Sequence, residues 1–448
     1  MPFEADVIIL GAGAAGLAAG AELGRAGLKI LIIEARDRVG GRMFTKHDAA
    51  VNAPVELGAE FVHGRPPQIF NLVKKHNLHV KEVDGDNWCL QKGELCPCDF
   101  FSEVNALLEK MDDRSPDESF LSFVERCCPD QDDEKQREIK AWARSYVTGF
   151  HAADPKLISV HSLVAGLRAD EEIDGERAFR ITNGYESLLE IFRRELNAAR
   201  VKFELTTVAE SIRWERQHVQ VIARNPNGPI SFSAPRALIT LPLGVLQAGP
   251  GERGNVQFVP DLPPHKREAL RKLVMGKVVR VVLRFRERFW EHMMVSQCAE
   301  PKMLSEMSFL FSHEDWFPTW WTTMPDKLPI ITAWAPFHCA ERLSGCDEAY
   351  VVDKAVGTLS RLLKTEKSKL KDLLEESYFH DWQSDPFSRG AYSYVMVGGE
   401  GAQQELARPV ANMLFFAGEA TDYSGYHGTV HGAIASGQRA AKQIMNTK

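Results

Sequence analysis

The first apolar segments of the chain follow the pattern of a β-α-β unit. Residues 6–10 (Asp-Val-Ile-Ile-Leu) and 29–34 (Lys-Ile-Leu-Ile-Ile-Glu) are dominated by isoleucine, leucine and valine, which is typical of buried parallel strands. Between them, residues 14–26 have the small and apolar composition of a helix. The three elements fit within about 30 residues, the size of one β-α-β unit.

The rest of the chain alternates between helical and strand patterns. Residues 70–170 are helical and charged, whereas residues 201–240 return to strands, with a turn at 225–228 (Asn-Pro-Asn-Gly). There is no internal repeat and no low-complexity linker, so two domains that each use several chain segments fit better than two successive domains. The other predicted elements are a loop at 112–117, a helix over 134–146, a loop at 260–264, a helix over 265–273, a strand over 277–285 and helices over 347–363 and 431–445.

A glycine motif lies where the first strand meets the helix. It reads Gly11-Ala-Gly13-Ala-Ala-Gly16, and Glu34 follows at the end of the second strand. In such a motif Gly11 allows the tight turn, Gly13 lets the backbone approach a pyrophosphate, and Gly16 lets helix and strand pack closely. The helix N-terminus then faces the anion, and the carboxylate accepts hydrogen bonds from ribose hydroxyls. We therefore predict a dinucleotide-binding site.

The next motif favours FAD over a nicotinamide cofactor. Arg36, Arg38 and Arg42 surround the adjacent glycines Gly40 and Gly41. Close backbone approach together with fixed positive charge suits a second contact to the pyrophosphate and a ring contact. A nicotinamide site does not need this second contact, so the motif predicts FAD.

A further set of cofactor residues is predicted near the C-terminus. An apolar strand ends at Gly418 and Glu419, from which the acid would reach the ribityl chain of a flavin. Residues 428–437 then begin a helix whose N-terminus would face the flavin pyrimidine carbonyl. The complete set of predicted FAD contacts is Gly11, Gly13, Gly16, Glu34, Arg36, Gly40, Gly41, Arg42, Val208, Gly418, Glu419, Thr429 and Val430.

Composition excludes several other classes of function. The chain has 448 residues, of which 44% are hydrophobic and 26% charged, which is ordinary for a globular protein. Its formal net charge of −7 is unlike the positive charge of nucleic-acid-binding proteins, so the composition argues against that function. The eight cysteines form no CxxC pair and no zinc-type spacing, so we expect no metal site and reduced thiols in a cytoplasmic protein. Charges and glycines interrupt the apolar stretch 7–33, which argues against a signal or membrane segment.

In this order, the motifs resemble those of the flavin-containing amine oxidases. That family includes monoamine, polyamine and spermine oxidases, L-amino-acid oxidases and lysine-specific histone demethylases. The resemblance covers nearly the whole chain, because it also includes residues 56–64 (Glu-Leu-Gly-Ala-Glu-Phe-Val-His-Gly), 240–242 (Thr-Leu-Pro), 289–290 (Phe-Trp) and 332–334 (Thr-Ala-Trp).

The resemblance implies a fold and a reaction. We expect an α/β plus α+β fold, with a Rossmann-type FAD-binding domain (1–72, 182–245 and 387–448) interleaved with a substrate-binding domain (73–181 and 246–386). In this family a neutral amine gives a hydride from its α-carbon to flavin N5, the imine hydrolyses, and oxygen reoxidises the flavin to give hydrogen peroxide. The expected partners are therefore a small amine and molecular oxygen, and the chain is expected to be a monomer or homodimer.

The resemblance also implies where the reacting groups lie. Ala391 stands where monoamine oxidases carry the cysteine that bonds FAD, so we expect non-covalent FAD. Tyr392 matches one wall of the aromatic cage against the flavin. Thr429 matches the opposite wall, in preference to Tyr426 three residues earlier. His63 lies in the family's Ala-x-x-x-His-Gly pattern, where the histidine lines the cavity near the amine.

Arg280 departs from the family pattern. It occupies the position of a lysine that, in relatives, binds a water near flavin N5 and is linked to reactivity with oxygen. Arginine keeps the charge but is larger, planar and never neutral. Lys277 is no substitute, since three residues along a strand it points to the other face. We expect the replacement of lysine by arginine to affect the rate of oxygen reduction more than the binding of FAD. Alternatively, Arg280 pairs with an anionic group of the substrate.

The leading prediction is a soluble, cytoplasmic oxidase of a polyamine-like or other alkylamine, favoured by His63 and Thr429. An L-amino-acid oxidase is the first alternative; it needs an arginine for the substrate carboxylate, and Arg280 or Arg168 is available. The second alternative is an FAD-dependent desaturase, dehydrogenase or isomerase of an apolar substrate, against which Tyr392 and Thr429 argue. A flavoprotein that serves as an interaction module has no supporting insertion or added domain.

Overall fold

The computed structural model of the protein describes residues 5–98, 100–128, 133–196, 201–295, 301–313 and 316–447. The helices are α1 (Ala14–Arg25), α2 (Pro67–His76), α3 (Phe100–Leu108), α4 (Phe120–Cys127), α5 (Glu134–His151), α6 (Val160–Glu171), α7 (Glu186–Glu195), α8 (Leu243–Leu246), α9 (Pro264–Arg271), α10 (His338–Leu343), α11 (Glu348–Leu362), α12 (Lys367–Leu373), α13 (Ala402–Ala407) and α14 (Val430–Met445). Short 3₁₀ helices lie at Phe289–His292, Leu304–Glu306 and Glu419–Thr421.

The strands complete the inventory of elements. They are β1 (Val7–Leu10), β2 (Ile30–Ile33), β3 (Thr45–Asp48), β4 (Ala53–Glu56), β5 (Val62–His63), β6 (Val80–Glu82), β7 (Asp86–Gln91), β8 (Glu94–Pro97), β9 (Ala178–Ile181), β10 (Val201–Glu204), β11 (Val208–Glu215), β12 (His218–Asn225), β13 (Gly228–Ala234), β14 (Arg236–Ile239), β15 (Gln257–Val259), β16 (Leu273–Met275), β17 (Val278–Phe285), β18 (Met294–Val295), β19 (Lys302–Met303), β20 (Met307–Phe311), β21 (Thr319–Thr322), β22 (Ile330–Pro336), β23 (Leu374–Phe379), β24 (Ser393–Val395) and β25 (Leu414–Phe416).

A five-stranded parallel sheet forms the centre of one half of the molecule. Its order is β10-β2-β1-β14-β25, and all neighbouring strands run parallel. Val7 and Ile9 face helices α1, α7 and α14, whereas Ile8 and Leu10 face the antiparallel sheet of β11–β13 together with α9 and α13. Both faces are therefore buried, which explains the uninterrupted apolar strands. The predicted β-α-β unit and the Rossmann-type α/β architecture are confirmed.

A seven-stranded sheet forms the other half. Its order is β23-β17-β22-β21-β20-β7-β8, and β17 pairs antiparallel with both β22 and β23. On one face of β17, Val279 and Val281 pack with the core that α10, α11 and α12 cover. Since side chains alternate along a strand, Arg280 faces the opposite side. Lys277, just before β17, pairs with Glu341 of α10 at 2.8 Å and is exposed.

Two expectations are wrong. The charged stretch 70–170, predicted to be helical, contains strands β6–β8, because Trp88 and Cys89 are buried where β7 pairs with β20, about 220 residues later in the chain; such distant pairing overrides local composition. The expectation of reduced thiols fails for one pair, since Cys89 and Cys98 form a disulfide within this segment. Cys298 lies outside the described residues.

Among the described residues, no helix is both long and apolar enough to cross a lipid bilayer. Over the same residues, no group of three or more side chains is arranged to hold a metal ion.

Lys266 is a buried lysine whose side chain contacts the C-terminal end of helix α13. Its Nζ donates to the carbonyl oxygens of Glu405 (2.8 Å), Leu406 (2.9 Å) and Arg408.

We expect Lys266→Met to destabilise the fold by about 2 kcal/mol, because buried carbonyls lose a donor. Thermal unfolding followed by circular dichroism measures the change. Lys369→Met, at an exposed position of α12, is the control and should change stability by less than about 0.5 kcal/mol; equal midpoints for the two variants would contradict the assignment.

Candidate active site

A single cavity of about 1370 Å³ connects the two halves of the molecule. Its lining includes Gly13 and Glu34 near the parallel sheet, and Arg280 and Trp321 from the seven-stranded sheet. Every residue predicted to bind FAD or to take part in the reaction lines this cavity, with the exception of Gly16. The sequence motifs, although distant along the chain, therefore meet in one place.

The glycine motif leaves room where a pyrophosphate would lie. Gly11 has a φ of +103°, a conformation that favours glycine. A Cβ at Gly16 would lie 2.0 Å from the carbonyl oxygen of Gly11, so helix α1 packs directly on the turn. A Cβ at Gly13, in contrast, would meet no atom within 4 Å. The open space lies at the N-terminus of α1, where unpaired N–H groups and the helix dipole favour an anion.

Glu34 presents its carboxylate next to this cradle. One oxygen accepts the N–H of Ala12 at 2.8 Å and the other accepts the N–H of Arg36 at 2.9 Å. The side chain of Arg36 is held in turn by Asp385 at 2.7 Å and by Ser388 at 2.9 Å. Each carboxylate oxygen has a further lone pair, so the group can also accept hydrogen bonds from ribose hydroxyls.

The second glycine pair packs against the first motif. The N–H of Gly40 donates to the carbonyl oxygen of Ala12 at 2.8 Å, and a Cβ at Gly41 would lie 3.4 Å from Cα of Gly13. The two loops therefore form adjoining parts of the same cavity wall. An open anion cradle, a carboxylate for a ribose and neighbouring arginines fit FAD.

A buried ion pair joins three distant segments beside this wall. Nη1 of Arg42 donates to the carbonyl oxygen of Ala391 at 2.7 Å and to Glu419 at 2.9 Å. The other oxygen of Glu419 accepts from the hydroxyl of Ser393 at 2.6 Å and from the N–H of Gly428 at 3.0 Å. The protein itself thus uses both oxygens of Glu419, and the contact of this residue with the ribityl chain stays a prediction.

Two aromatic side chains are anchored on the last turn of helix α5. The hydroxyl of Tyr392 donates to the carbonyl oxygen of Phe150 at 2.8 Å. Nε1 of Trp334 donates to the carbonyl oxygen of Gly149 at 3.2 Å. Burial raises the pKa of Tyr392 above its ordinary value, so the phenol stays neutral and keeps this bond. The two rings are therefore held by backbone atoms at the cavity wall.

Thr429, which is predicted to form the second wall of the aromatic cage, also caps helix α14. Its hydroxyl accepts the N–H of Gly432 at 3.0 Å and so caps α14, and it donates to the carbonyl oxygen of Tyr426 at 2.6 Å. The hydroxyl of Tyr426 donates in turn to the carbonyl oxygen of Ala169 at 2.9 Å. Both residues line the cavity, and Thr429 as the second wall of the aromatic cage stays a prediction.

The cavity contains four histidines, of which only His63 was predicted. His151, His427 and His431 also line it. Burial lowers the pKa of His63 and His427, and it lowers the pKa of His151 and His431 to about 3, with a smaller contribution from the charge of a second histidine in each case. All four are therefore neutral at physiological pH. His427 and His431 lie four residues apart, but His63 and His151 come from distant elements, and only the fold brings all four together.

Arg280 lines the cavity with its charge already paired. Its guanidinium contacts the carboxylate of Glu60, which also accepts Nε of Arg180 at 2.7 Å. Burial by itself raises the pKa of Glu60, but the charges of Arg280 and Arg180 outweigh it and hold the pKa below its ordinary value. An anionic substrate group would have to pair with the guanidinium group of Arg280, but Glu60 already occupies that position. Arg168 is likewise paired, with Asp113 at 2.9 Å.

These features define the class of the protein: an enzyme with a dinucleotide cradle that opens into an aromatic chamber between two sheets. The sequence matches the family model described as flavin containing amine oxidoreductase over residues 14–101 and 102–445. The chain belongs to this family and is an FAD-dependent amine oxidoreductase.

The relatives of the chain include polyamine oxidases and lysine-specific histone demethylases. Polyamine oxidase 4 of Oryza sativa subsp. japonica is 28% identical over 460 residues, which cover 98% of this chain and 88% of the relative. Lysine-specific histone demethylase 1 homolog 1 of Arabidopsis thaliana is also 28% identical, but this chain spans only 52% of it. The structure of a putrescine oxidase bound to putrescine covers 99% of both chains with 21% identity and a TM-score of 0.79, a likeness in fold.

The open space at Gly13 provides a direct test of the cofactor site. We expect Gly13→Val to fold normally but to lose FAD, because the new side chain extends into the space of the pyrophosphate. The flavin absorbance per mole of purified protein, with circular dichroism as a check of folding, measures the effect. The matched control is Gly24→Ala at the other end of α1, whose Cβ would lie 3.5 Å from its nearest neighbour. Full FAD content in Gly13→Val would contradict the proposed cradle.

Proposed function

We propose that the protein oxidises a polyamine-like or other alkylamine with non-covalently bound FAD. Bound FAD would supply the redox chemistry, as the acceptor of a hydride from the carbon next to the amine nitrogen; with oxygen as the final acceptor, the products would be hydrogen peroxide and an imine that hydrolyses to an aldehyde. The observation that carries this proposal is the charge pattern of the cavity, in which the histidines are neutral and an unpaired carboxyl group is accessible.

That carboxyl group belongs to Asp170. It lines the cavity near Tyr146 and Tyr426, and desolvation raises its pKa to about 6. Among the described residues it has no side-chain partner. Above pH 6 it presents a negative charge to the cavity, which suits the distal ammonium group of a diamine or polyamine.

The other side chains act on the reacting amine. Tyr392 and Trp334 provide apolar walls that exclude water from the carbon that is oxidised. His63 and His431 are neutral and can accept a hydrogen bond from the substrate amine without placing a positive charge beside it. Nε2 of His431 is buried and has no partner in the described part of the chain, so it is available for this purpose.

The alternatives are less well supported. An L-amino-acid oxidase needs an arginine with a free fork for the substrate carboxylate, whereas Arg280 and Arg168 are bound to Glu60 and Asp113. A desaturase of an apolar substrate has no use for a cavity-facing carboxyl group such as Asp170. The domain boundaries, the monomeric or homodimeric state and the cytoplasmic location stay predictions.

Anaerobic reduction tests the reaction itself. The purified holoenzyme is mixed with spermine, spermidine, putrescine, benzylamine or L-amino acids, and the flavin band is followed before and after air is admitted. Loss of the band with alkylamines and its return in air support the proposal. Loss of the band with a slow return indicates another electron acceptor, in keeping with Arg280 in place of the family lysine. No loss with any amine would contradict the proposal.

Asp170→Asn tests the acidic side of the cavity. We expect KM for a diamine or polyamine to rise about tenfold, equivalent to about 1.4 kcal/mol, with a much smaller change for a monoamine of similar length. Because the carboxyl is neutral below its pKa of about 6, the wild-type KM should approach that of the variant as the pH falls through 6. Glu287→Gln, at an exposed position that does not line the cavity, is the control. Equal changes in KM for monoamines and diamines would contradict the assignment.

Ala391 makes the mode of FAD attachment testable. An alanine methyl group offers no nucleophile, so we expect acid or heat denaturation to release all of the FAD into the supernatant. The absorbance of the supernatant and of the washed pellet measures the distribution. A yellow pellet that withstands washing in denaturant would show a covalent bond and contradict this expectation.

A further inference from the structure

Glu60 lies at the centre of a buried cluster of charges on the cavity wall. Its carboxylate accepts Nε of Arg180 at 2.7 Å and Nε1 of Trp321 at 3.0 Å, and it contacts Nη2 of Arg280. The exposed side-chain fractions are 10% for Glu60, 15% for Arg180 and 5% for Arg280. One carboxylate is thus shared by two guanidinium groups away from bulk solvent.

The two arginines differ in how well their remaining donors are satisfied. Nη1 and Nη2 of Arg180 donate to the carbonyl oxygens of Met324 and Thr322, the latter at 2.9 Å. Nη1 of Arg280 donates to the carbonyl oxygen of Gly58 at 2.9 Å, but its Nε is buried without a partner among the described residues. Nε of Arg280 is therefore a buried donor without an acceptor among the described residues.

A guanidinium fork matches the geometry of a carboxylate, whichever molecule carries that carboxylate. Two buried guanidinium groups without an anion are strongly unfavourable, so this place must hold a negative charge. Glu60 supplies that charge from within the chain. While Glu60 is bound to the guanidinium group of Arg280, a second carboxylate that enters the cavity cannot form the same hydrogen bonds. It is also repelled by the negative charge of Glu60.

We propose that Glu60 is a specificity-determining residue: it fills the place where Arg280 and Arg180 would otherwise bind the carboxylate of an amino acid, and so restricts the enzyme to amines without one. A carboxylate of the protein thus occupies the site that the carboxylate of an amino-acid substrate would otherwise occupy, and amino acids are excluded for this reason. This inference rests on the proposed amine oxidation, but the state of the cluster can be tested separately.

Chemical rescue tests the anion site without any catalytic turnover. Glu60→Ala removes the carboxylate and leaves space between the two arginines. We expect acetate to raise the unfolding midpoint of this variant by several degrees, measured against chloride at equal ionic strength, and to leave the wild type unchanged. Glu341→Ala, which removes the exposed partner of Lys277, is the matched control and should not respond. An equal response to acetate in all three proteins would overturn the proposal.

A double variant identifies the group that binds the anion. In Glu60→Ala/Arg280→Gln, one of the two guanidinium groups is also absent. We expect the stabilisation by acetate to be lost or reduced at least tenfold in apparent affinity. Undiminished binding of acetate to the double variant would show that the anion binds elsewhere, which would overturn the assignment to Arg280.

Substrate selectivity tests the functional consequence. For wild type and Glu60→Ala, kcat/KM is measured for pairs of equal chain length, such as butylamine and 4-aminobutyrate, and for L-amino acids. We expect the preference for amines over amino acids to fall at least tenfold in the variant. Rescue by acetate with unchanged selectivity would overturn the role in specificity. A wild type that oxidises no amine would refute the proposed function instead, and the acetate experiment would still report on the anion site.

Discussion

The buried ion pair of Arg42 and Glu419 is the interaction on which the shape of the active site depends. It ties together the loop after the second glycine pair, the segment that carries Tyr392, and the turn before α14. Burial raises the pKa of Glu419, but the charge of Arg42 and the hydrogen bonds of Ser393 outweigh it and keep the carboxylate ionised. Since a buried charge without its partner is strongly unfavourable, these three segments are held in one arrangement. The FAD cradle and the aromatic wall therefore form together.

The cavity combines positive charges that are neutralised with a negative charge that is not. Arg280 and Arg180 share Glu60, whereas Asp170 has no cation beside it among the described residues. The four histidines add no charge at neutral pH, because burial keeps them unprotonated. A cationic amine therefore enters a space that offers it the carboxyl group of Asp170 and neutral acceptors.

Sequence patterns predicted the parts of the site that are local. The glycine motif from Gly11 to Gly16 and the acid Glu34 lie on adjoining elements, so their spacing alone fixes their relation. Glu60 could not be assigned in this way, because its partners Arg180 and Arg280 come from elsewhere in the chain. The same limit applies to strand β7, whose local composition favours a helical region although its pairing with β20 is decided by tertiary structure. Local periodicity indicates an element, but long-range pairing decides the neighbours of each side chain.

The contacts at the end of helix α5 decide which mutations of this helix alter the aromatic wall. Tyr392 and Trp334 are bound to the main-chain oxygens of Phe150 and Gly149, so the identity of the residues at 149 and 150 matters little to these two bonds. The length of the helix matters much more. Loss or gain of one residue within it rotates the final turn by about 100° and shifts it by about 1.5 Å. The geometry of the aromatic wall is therefore robust to substitution along α5 and fragile to insertion or deletion.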